Sequence, residues 1–358
     1  MKYKTVGEDQ DIFTIEVRLT SKCNYNCYYC TDLHYNKVPF VMHNVKHMCD
    51  LINEAYRVLK KPIYVYIYGG EPTIYPHLYA YLDGLIEKIE CDVDITIDIQ
   101  SNLSLKLDWW KNFCERYKEV NHYLKICGSY HNTQTTIHDF LSKALLLKKY
   151  NMLNIVTFMY NKQKHVISDF NTAVKFLGVH HCEISPLIDS RVSQPKESNI
   201  DELKHIEQNE NVDDFKSHSF FFNECIHVEE KEGEIKKRSR FDFWLSNDNT
   251  FTGCVCATPL DRLVIDWDGS AFYCESHLFS EKAAMFNINE VNDYELYFKN
   301  IKPVKCAFEK CFFNIESKKM ISEVDESSVV FGMNKYNSIN RYDDLNKKYK
   351  SAEKSFNY

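Results

Sequence analysis

The sequence predicts an α/β protein in which six strand-then-helix units, with the helix of the last unit left open, fill roughly the first half of a 358-residue chain. Runs with an apolar residue at every second position alternate with segments whose apolar residues recur at helical spacing. Helices of this length between strands indicate parallel pairing with right-handed crossovers. A cysteine-rich segment follows in the second half. The pattern leaves two arrangements of the sheet open, an open doubly wound sheet and a barrel.

The units can be followed in order along the chain. The predicted strands are FTIEVRL, PIYVYIY, DVDITIDI, HYLKICGSYH, MLNIVTFMY and HHCEISPLI. The helices between them are MHNVKHMCDLINEAYRVLKK, LYAYLDGLIEKI, LDWWKNFCERY, TIHDFLSKALLLKKY and VISDFNTAVKFLG. In either arrangement, the loops at the C-terminal ends of the strands are expected to carry the chemistry.

Composition limits the possible functions. With 44% hydrophobic and 27% charged residues, the chain can bury a sizeable core and is long enough for one large domain and a smaller one. It lacks a run of the ~18 apolar residues that a membrane span needs. Because the N-terminus lacks the apolar core of a secretory signal, we expect a cytoplasmic protein without a membrane partner. The net charge of −7, without a dominant basic run, disfavours extended nucleic acid.

Three of the fourteen cysteines lie in TSKCNYNCYYC, directly after the first strand of the series. In a reducing compartment such cysteines indicate thiolate chemistry or metal binding rather than disulfides. Cys23, Cys27 and Cys30, with gaps of three and two residues, suit an iron–sulfur cluster. The alternative is a structural zinc site with His34 or His43 as fourth ligand. Zinc sites more often show paired CxxC elements, so the cluster is favoured.

A second motif, GGEPT at residues 69–73, follows the next strand. Its two glycines let the backbone approach a ligand closely, and Glu71 can accept hydrogen bonds from an ammonium group. Alone, GGEP predicts a tight turn. One strand–helix unit after a CxxxCxxC loop, it indicates a binding site.

With both motifs present, residues 12 to 190 resemble the radical S-adenosylmethionine (radical SAM) enzymes. In that family CxxxCxxC holds a [4Fe-4S] cluster, and the amino and carboxylate groups of S-adenosylmethionine (SAM) chelate its open iron. The resemblance implies that Cys23, Cys27 and Cys30 hold the cluster. It also implies a partial (β/α)6 barrel.

The resemblance assigns further residues to the cofactor. Tyr29 fills the aromatic position before the last cysteine, near the adenine. Gly69, Gly70 and Glu71 match the element that receives the methionyl amino group.

Two later strand ends complete the implied cofactor site. QSNLS stands where the family more usually has TNG, which suggests Ser101 and Asn102 for the ribose. GSYHN suggests Ser129 for the SAM carboxylate. Cys127, on the same strand, is a candidate hydrogen-atom donor, and the alternative is a buried structural thiol.

The C-terminal part has its own cysteine pattern. Cys256 and Cys274 flank a predicted hairpin with LVID and AFYC as strands and DWDG as the turn. KCAFEKC adds Cys306 and Cys311, giving a closed set of four thiolates for a second iron–sulfur cluster or a zinc ion. The spacing from Cys256 through Gly269 to Cys274 resembles the SPASM and twitch extensions, which hold auxiliary [4Fe-4S] clusters. Too few cysteines follow for a full SPASM set, so one auxiliary cluster of twitch type is expected.

The predicted organisation has four parts. These are a radical SAM core at 1–190, a connector and hairpin around Glu232 and Gly233 at 191–250, an auxiliary-cluster domain at 251–315, and a polar tail at 316–358.

The resemblance also implies the reaction. SAM is cleaved reductively to methionine and a 5′-deoxyadenosyl radical, with electrons from a donor such as flavodoxin or ferredoxin, and the radical abstracts a hydrogen atom from substrate. A peptide is the favoured substrate, to be oxidised, cross-linked or epimerised, although only some ten residues precede the first strand of the series and leave no room for a leader-binding domain there. A small sugar-like or nucleoside substrate is the alternative. A non-catalytic iron–sulfur or zinc protein is disfavoured because both motifs are present.

Overall fold

The computed structural model describes eleven segments of the chain. They are residues 3–6, 12–30, 40–41, 44–160, 165–186, 225–230, 235–239, 255–256, 258–278, 284–291 and 293–306. The predicted tail at 316–358, Cys311, and the two histidines of the zinc alternative, His34 and His43, lie outside these residues.

A nine-stranded sheet forms the centre of the described structure. Its strands are β2 (Phe13–Thr20), β3 (Ile63–Gly69), β4 (Ile95–Ser101), β5 (Leu124–Tyr130), β6 (Leu153–Tyr160), β7 (Cys182–Pro186), β11 (Arg262–Ile265), β12 (Ser270–Phe272) and β13 (Phe286–Asn287). They lie in the order β13, β12, β11, β2, β3, β4, β5, β6, β7. From β11 through β7 each strand is parallel to its neighbour, whereas β12 and β13 are antiparallel. The predicted parallel sheet is thus confirmed.

Five helices connect the parallel strands. They are α1 (Val45–Leu59), α2 (Leu78–Lys88), α3 (Leu107–Tyr117), α4 (Ile137–Lys149) and α5 (His165–Leu177). Local sequence explains several of the ends. The side chain of Asn44 accepts a hydrogen bond from the backbone of His47 at the start of α1, and Thr136 does the same for Asp139 at the start of α4. Helix α1 ends at Leu59, and Lys60, the residue that caps it, adopts a left-handed conformation with φ of 57°.

The two faces of the parallel strands differ in polarity. Ile15, Val65, Ile97 and Ile126 share one apolar core with buried residues of all five helices. The opposite face, which we call the inner face, carries Glu16, Arg18, Tyr64, Tyr66, Tyr68, Asp98, Gln100, Cys127, Ser129, Thr157 and Glu183. A doubly wound sheet would have apolar helices on both faces, so these helices on a single face indicate a partial barrel.

The C-terminal hairpin extends this sheet. Strands β11 and β12 are joined by the turn at 266–269, in which Gly269 has a φ of 84° and donates to the carbonyl oxygen of Asp266 at 2.8 Å. Strand β11 pairs in parallel with β2. Three short helices accompany the hairpin: α6 (Thr258–Asp261), α7 (Glu275–Leu278) and α8 (Tyr294–Asn300). Helix α8 packs on α1, and Phe298 contacts Phe13 edge-to-face at 5.6 Å between ring centres.

Two small sheets lie outside the main sheet. Strands β1 (Tyr3–Val6), β8 (Cys225–Glu230) and β9 (Ile235–Ser239) pair antiparallel in that order, and β8 and β9 form the hairpin expected around Glu232 and Gly233. Strand β1 was not predicted. Strands β10 (Val255–Cys256) and β14 (Val304–Lys305) form the second pair. Among the described helices, none is long and apolar enough to cross a membrane.

Candidate active site

The cysteine loop leaves the C-terminal end of β2. Cys27 is buried, and Cys23 and Cys30 are half-buried. The backbone N–H of Cys30 donates to the carbonyl oxygen of Cys27 at 3.0 Å, which closes a turn between these two cysteines. Burial raises the pKa of Cys23 to about 12 and that of Cys27 to about 11, and the nearby thiols raise these values further.

The donor set of the loop can be tested for its fit to a metal group. Within the described segments, no three Cys, His, Asp or Glu side chains are arranged closely enough to hold a metal ion. The chemistry of the three thiols nevertheless suits a cluster. The backbone N–H of Tyr25 lies 3.4 Å from Cys23 Sγ, and Asn102 Nδ2 lies 3.8 Å from the same sulfur. Such N–H donors stabilise a thiolate, which is the form that ligates iron.

Gly69 and Gly70 pack directly against the start of the cysteine loop. A Cβ atom at Gly70 would lie 2.0 Å from the carbonyl oxygen of Lys22, and one at Gly69 would lie 2.2 Å from that of Thr20. The backbone N–H groups of Gly70 and Glu71 donate to these same two oxygens, both at 2.7 Å. The close approach that the sequence suggested for a ligand therefore also joins the GGE segment to the loop.

Glu71 is a buried carboxylate, 1% exposed. Oε1 accepts hydrogen bonds from the backbone and hydroxyl of Thr73 and from the hydroxyl of Ser101, at 3.0, 2.5 and 2.8 Å. Oε2 accepts one bond, from the backbone of Asn102 at 2.6 Å. Burial raises the pKa of Glu71, and the hydrogen bonds oppose that shift. Because no cation of the described residues pairs with it, Oε2 is suited to accept from an ammonium group.

The side chains of Ser101 and Asn102 form hydrogen bonds with other residues of this site. Besides donating to Glu71, the Ser101 hydroxyl accepts from the backbone of Leu103 at 3.0 Å. Asn102 Nδ2 donates to Asn24 Oδ1 at 3.1 Å in addition to its contact with Cys23. These two residues therefore connect the carboxylate of Glu71 to the cysteine loop.

Leu103 has an unusual backbone conformation, with a φ of 53°. Glycine adopts this left-handed region most readily. Leu103 stands where the TNG element of the family has its glycine, so the conformation of the turn agrees with the resemblance although the residue does not.

His131 contacts Tyr29, the aromatic residue before the last cysteine of the loop. Its Nδ1 lies 2.8 Å from the hydroxyl of Tyr29, and the two rings stack with centres 5.9 Å apart. Tyr25 also packs edge-on with His131, with ring centres 6.0 Å apart. Burial lowers the pKa of His131 to about 4, so the ring that hydrogen-bonds with Tyr29 is neutral at neutral pH. Sequence reasoning missed His131, although it stands two residues after Ser129 in the segment GSYHN.

Two hydrogen-bond networks cover the inner face. In the first, the Tyr66 hydroxyl donates to Gln100 Oε1 at 2.5 Å, and Gln100 Nε2 donates to Ser129 Oγ. In the second, Asp98 Oδ2 accepts from the hydroxyl of Tyr64 at 2.7 Å and from Cys127 Sγ at 3.4 Å. The sequence carries a signal for these networks, because tyrosine occupies every second position of YVYIY, and Asp98 and Gln100 alternate with an isoleucine in DIQ.

The cysteines of the C-terminal part are brought together only in part. Cys256, Cys274 and Cys306 are all buried. Cys256 pairs with Val304 across β10 and β14, so Cys306, two residues after Val304, lies beside the same strand pair. Cys274 lies two residues after Phe272, the last residue of β12, at the end of the hairpin. Cys311 lies outside the described residues, and the set of four cysteines as ligands of one metal site stays a prediction.

Of the comparisons with known proteins, only the one with solved structures finds similar chains. No protein-family model and no curated protein matches the sequence. The structure of anSMEcpe with bound AdoMet and Kp18Cys peptide matches with a TM-score of 0.52 and 17% identity, over 80% of each chain. Streptococcus suis SuiB bound to S-adenosylmethionine matches with a TM-score of 0.52 and 14% identity, over 80% of this chain and 65% of SuiB. Both are radical SAM enzymes.

The chain has the radical SAM fold. This confirms the predicted partial barrel and explains why the cysteine loop, the GGE segment and the end of β4 meet at one edge of the sheet. At these identities the likeness concerns the fold. The roles of individual residues depend on the contacts described above.

Proposed function

We propose that this chain is a radical SAM enzyme. The observation that carries the proposal is the buried carboxylate of Glu71, which has no cationic partner among the described residues and is joined to the cysteine loop through Gly70 and Asn102. When bound at Cys23, Cys27 and Cys30, a [4Fe-4S] cluster would supply the electron for reductive cleavage of SAM, which yields methionine and, once a hydrogen atom has been taken from substrate, 5′-deoxyadenosine. A donor such as flavodoxin or ferredoxin would replace that electron.

Each residue near the loop has a proposed part in holding these groups. Cys23, Cys27 and Cys30 hold the cluster. Glu71 accepts from the SAM ammonium group, and Tyr29, fixed by His131, lies beside the adenine.

The other cofactor residues act from neighbouring strand ends. Gly69 and Gly70 keep the GGE backbone against the loop. Ser101 and Asn102 were expected at the ribose, and their contacts support a positioning role toward Glu71 and Cys23. Ser129 is proposed to donate to the SAM carboxylate.

A peptide is the proposed substrate. The support is the fold shared with anSMEcpe, whose structure contains AdoMet and the Kp18Cys peptide. Hydrogen abstraction from a peptide side chain or Cα would leave a carbon radical facing the inner face. Cys127 is suited to return a hydrogen atom there, because burial keeps its pKa well above the usual range and the thiol therefore keeps its hydrogen. The S–H bond broken in that step would leave a thiyl radical, and one electron from the flavodoxin- or ferredoxin-type donor with one proton would restore the thiol.

The second cysteine set is proposed to hold an auxiliary [4Fe-4S] cluster through Cys256, Cys274, Cys306 and Cys311. Zinc is the less favoured occupant. Anaerobically reconstituted protein should contain about eight irons if both sites hold [4Fe-4S] clusters, and about four irons plus one zinc if the second site is structural.

SAM binding at the cluster can be observed by electron paramagnetic resonance (EPR). We expect the spectrum of the dithionite-reduced protein to change saturably on addition of SAM. A Glu71→Leu variant should need roughly tenfold or more SAM for the same change, since a hydrogen bond to a charged group is lost. A reduced cluster whose spectrum ignores SAM in the wild type would contradict the proposal.

A further inference from the structure

The hydroxyl of Ser129 lies at the end of a chain of hydrogen bonds on the inner face. Tyr66, on β3, donates to Gln100 Oε1 at 2.5 Å, and Gln100, on β4, donates through Nε2 to Ser129 Oγ on β5. The chain therefore crosses three neighbouring strands of the sheet. It ends one residue before the C-terminal end of β5.

The direction of this chain is set by its first member. Burial keeps the pKa of Tyr66 well above its usual range, so the phenol keeps its hydrogen and can donate. A donating Tyr66 turns the oxygen of the Gln100 amide toward itself and the NH2 group toward Ser129. Tyr66 is itself held between Tyr64 and Tyr68, whose ring centres lie 6.2 and 5.6 Å away in nearly parallel planes.

Because Ser129 Oγ accepts from Gln100, its own hydrogen must point elsewhere. Within the part of the chain that the structure describes, that hydrogen meets no acceptor. Ser129 is only half-buried, so a bound molecule can reach it. A hydroxyl held with its hydrogen outward is a donor prepared for an anionic oxygen, and such charge-assisted bonds are the strong ones.

We infer that Tyr66 and Gln100 are positioning residues that hold the Ser129 hydroxyl as a hydrogen-bond donor to the carboxylate of SAM. The inference rests on the proposed function and goes beyond it, since no motif marks either residue. Without Tyr66 as donor, the Gln100 amide is free to rotate by half a turn. Ser129 can then donate inward to the Gln100 oxygen, and the donor to the carboxylate is lost.

The experiment compares two ligands that differ in one group. Dissociation constants for SAM and for decarboxylated SAM, which keeps the sulfonium and adenosine groups, are measured on anaerobically reconstituted full-length protein. The ratio of the two constants is the carboxylate preference. Because both ligands meet the same cluster and the same Glu71, changes of this ratio between variants report on contacts to the carboxylate.

Tyr66→Phe is expected to reduce the carboxylate preference by roughly tenfold, as does Ser129→Ala. Gln100→Met should lose less than Tyr66→Phe, because without the amide oxygen the Ser129 hydroxyl has no inward acceptor among the described residues. The double variant Tyr66→Phe/Ser129→Ala should lose no more than Ser129→Ala alone, because the three residues act along one path. Tyr64→Phe is the matched control: Tyr64 lies on the same strand and face but donates to Asp98. Its carboxylate preference should equal that of the wild type. Iron content and thermal unfolding show whether each variant is folded.

The possible failures are distinct. If the wild type binds neither ligand, the proposed function is wrong and the inference is wrong with it. If the wild type prefers SAM but Tyr66→Phe keeps the full preference, the positioning role is refuted and the proposed function stands. Additive losses in the double variant, or an unchanged preference in Ser129→Ala, likewise overturn the inference.

Discussion

Gly70 lies against the cysteine loop so closely that no side chain fits. Its Cβ atom would overlap the carbonyl oxygen of Lys22 at 2.0 Å, and that oxygen also accepts the N–H of Glu71. We expect Gly70→Ala to lower the free energy of unfolding by roughly 3 kcal/mol or more, because loop and GGE segment must separate. Urea unfolding of the metal-free protein measures this.

Gly178→Ala provides the control for Gly70→Ala. Gly178 has a φ of 86° but nothing within 4 Å of its Cβ position, so only backbone strain of about 1 kcal/mol is expected. If both substitutions cost the same, the close packing of the GGE segment on the loop is refuted.

His131 gives a pH dependence of stability with a defined sign. Burial lowers its pKa from 6.5 to about 4, so between these values the unfolded chain binds a proton that the folded protein does not. The contribution of neutral His131 to stability is therefore fully present above the ordinary pKa of 6.5. It is lost as the pH falls toward the folded-state pKa of about 4, by roughly 3 kcal/mol in total. Comparing urea unfolding at pH ~7 and pH ~4.5, we expect His131→Asn, whose amide can still hydrogen-bond with Tyr29, to lose about 2 kcal/mol less than the wild type. Equal losses in both proteins would show that His131 is not the titrating group.

At the scale of single residues, the sequence predicted the members of the motifs and missed the residues that contact and position them. Cys23, Gly70 and Glu71 belong to contiguous motifs whose spacing is visible in the chain. His131, Tyr66 and Gln100 act on residues of other strands. Contacts of this kind depend on the register between strands, which no local pattern contains.

Strand β11 is held beside β2 by charged pairs as well as by its backbone. Arg18 on β2 contacts Asp266 in the hairpin turn at 3.0 Å, and both side chains are fully buried. Asp266→Asn removes the negative charge that contacts the buried guanidinium of Arg18, which should cost about 3–5 kcal/mol in the free energy of unfolding. Asp108→Asn breaks an exposed pair with Lys111 and should change the free energy of unfolding far less, because solvent screens that pair. Chemical unfolding of both variants decides this, and similar small losses would mean that the pair does not hold the hairpin.

Elements with a strong period were predictable and their partners were not. The alternation in FTIEVRL and PIYVYIY is enough to identify β2 and β3. Strand β1 covers only four residues, too few for a period to be distinguished. The DWDG hairpin was predicted from its turn. Its parallel pairing with β2 joins residues about 250 positions apart, for which the sequence has no local signal.

The whole molecule combines the barrel and the cysteine-rich segment in one sheet. Since β11 lies next to β2, the segment that carries Cys256 and Cys274 adjoins the strand that leads into the cysteine loop. The choice between a doubly wound sheet and a barrel also belongs to this scale. It required the side of the sheet on which each helix packs, and helix periodicity does not contain that information.

Removing one cysteine of the second set should distinguish the iron bound there from the iron bound at the cysteine loop. Cys306→Ala is expected to lower the iron content from about eight to about four per chain and to leave the SAM-dependent EPR change in place. Cys114→Ala, a change of another buried thiol in α3, should keep about eight irons. If Cys306→Ala keeps its full iron content, Cys306 is not a ligand of a second cluster.

The central claim is that this chain cleaves SAM at the cluster held by its cysteine loop. The most direct measurement is the release of 5′-deoxyadenosine from SAM by anaerobically reconstituted protein with a strong reductant. We expect release by the wild type and by Cys49→Ala, whose thiol is buried in α1 and contacts the carbonyl oxygen of Gly84. Cys27→Ala should release no more than the reductant alone. No release by the wild type, or equal release by Cys27→Ala, would contradict the claim.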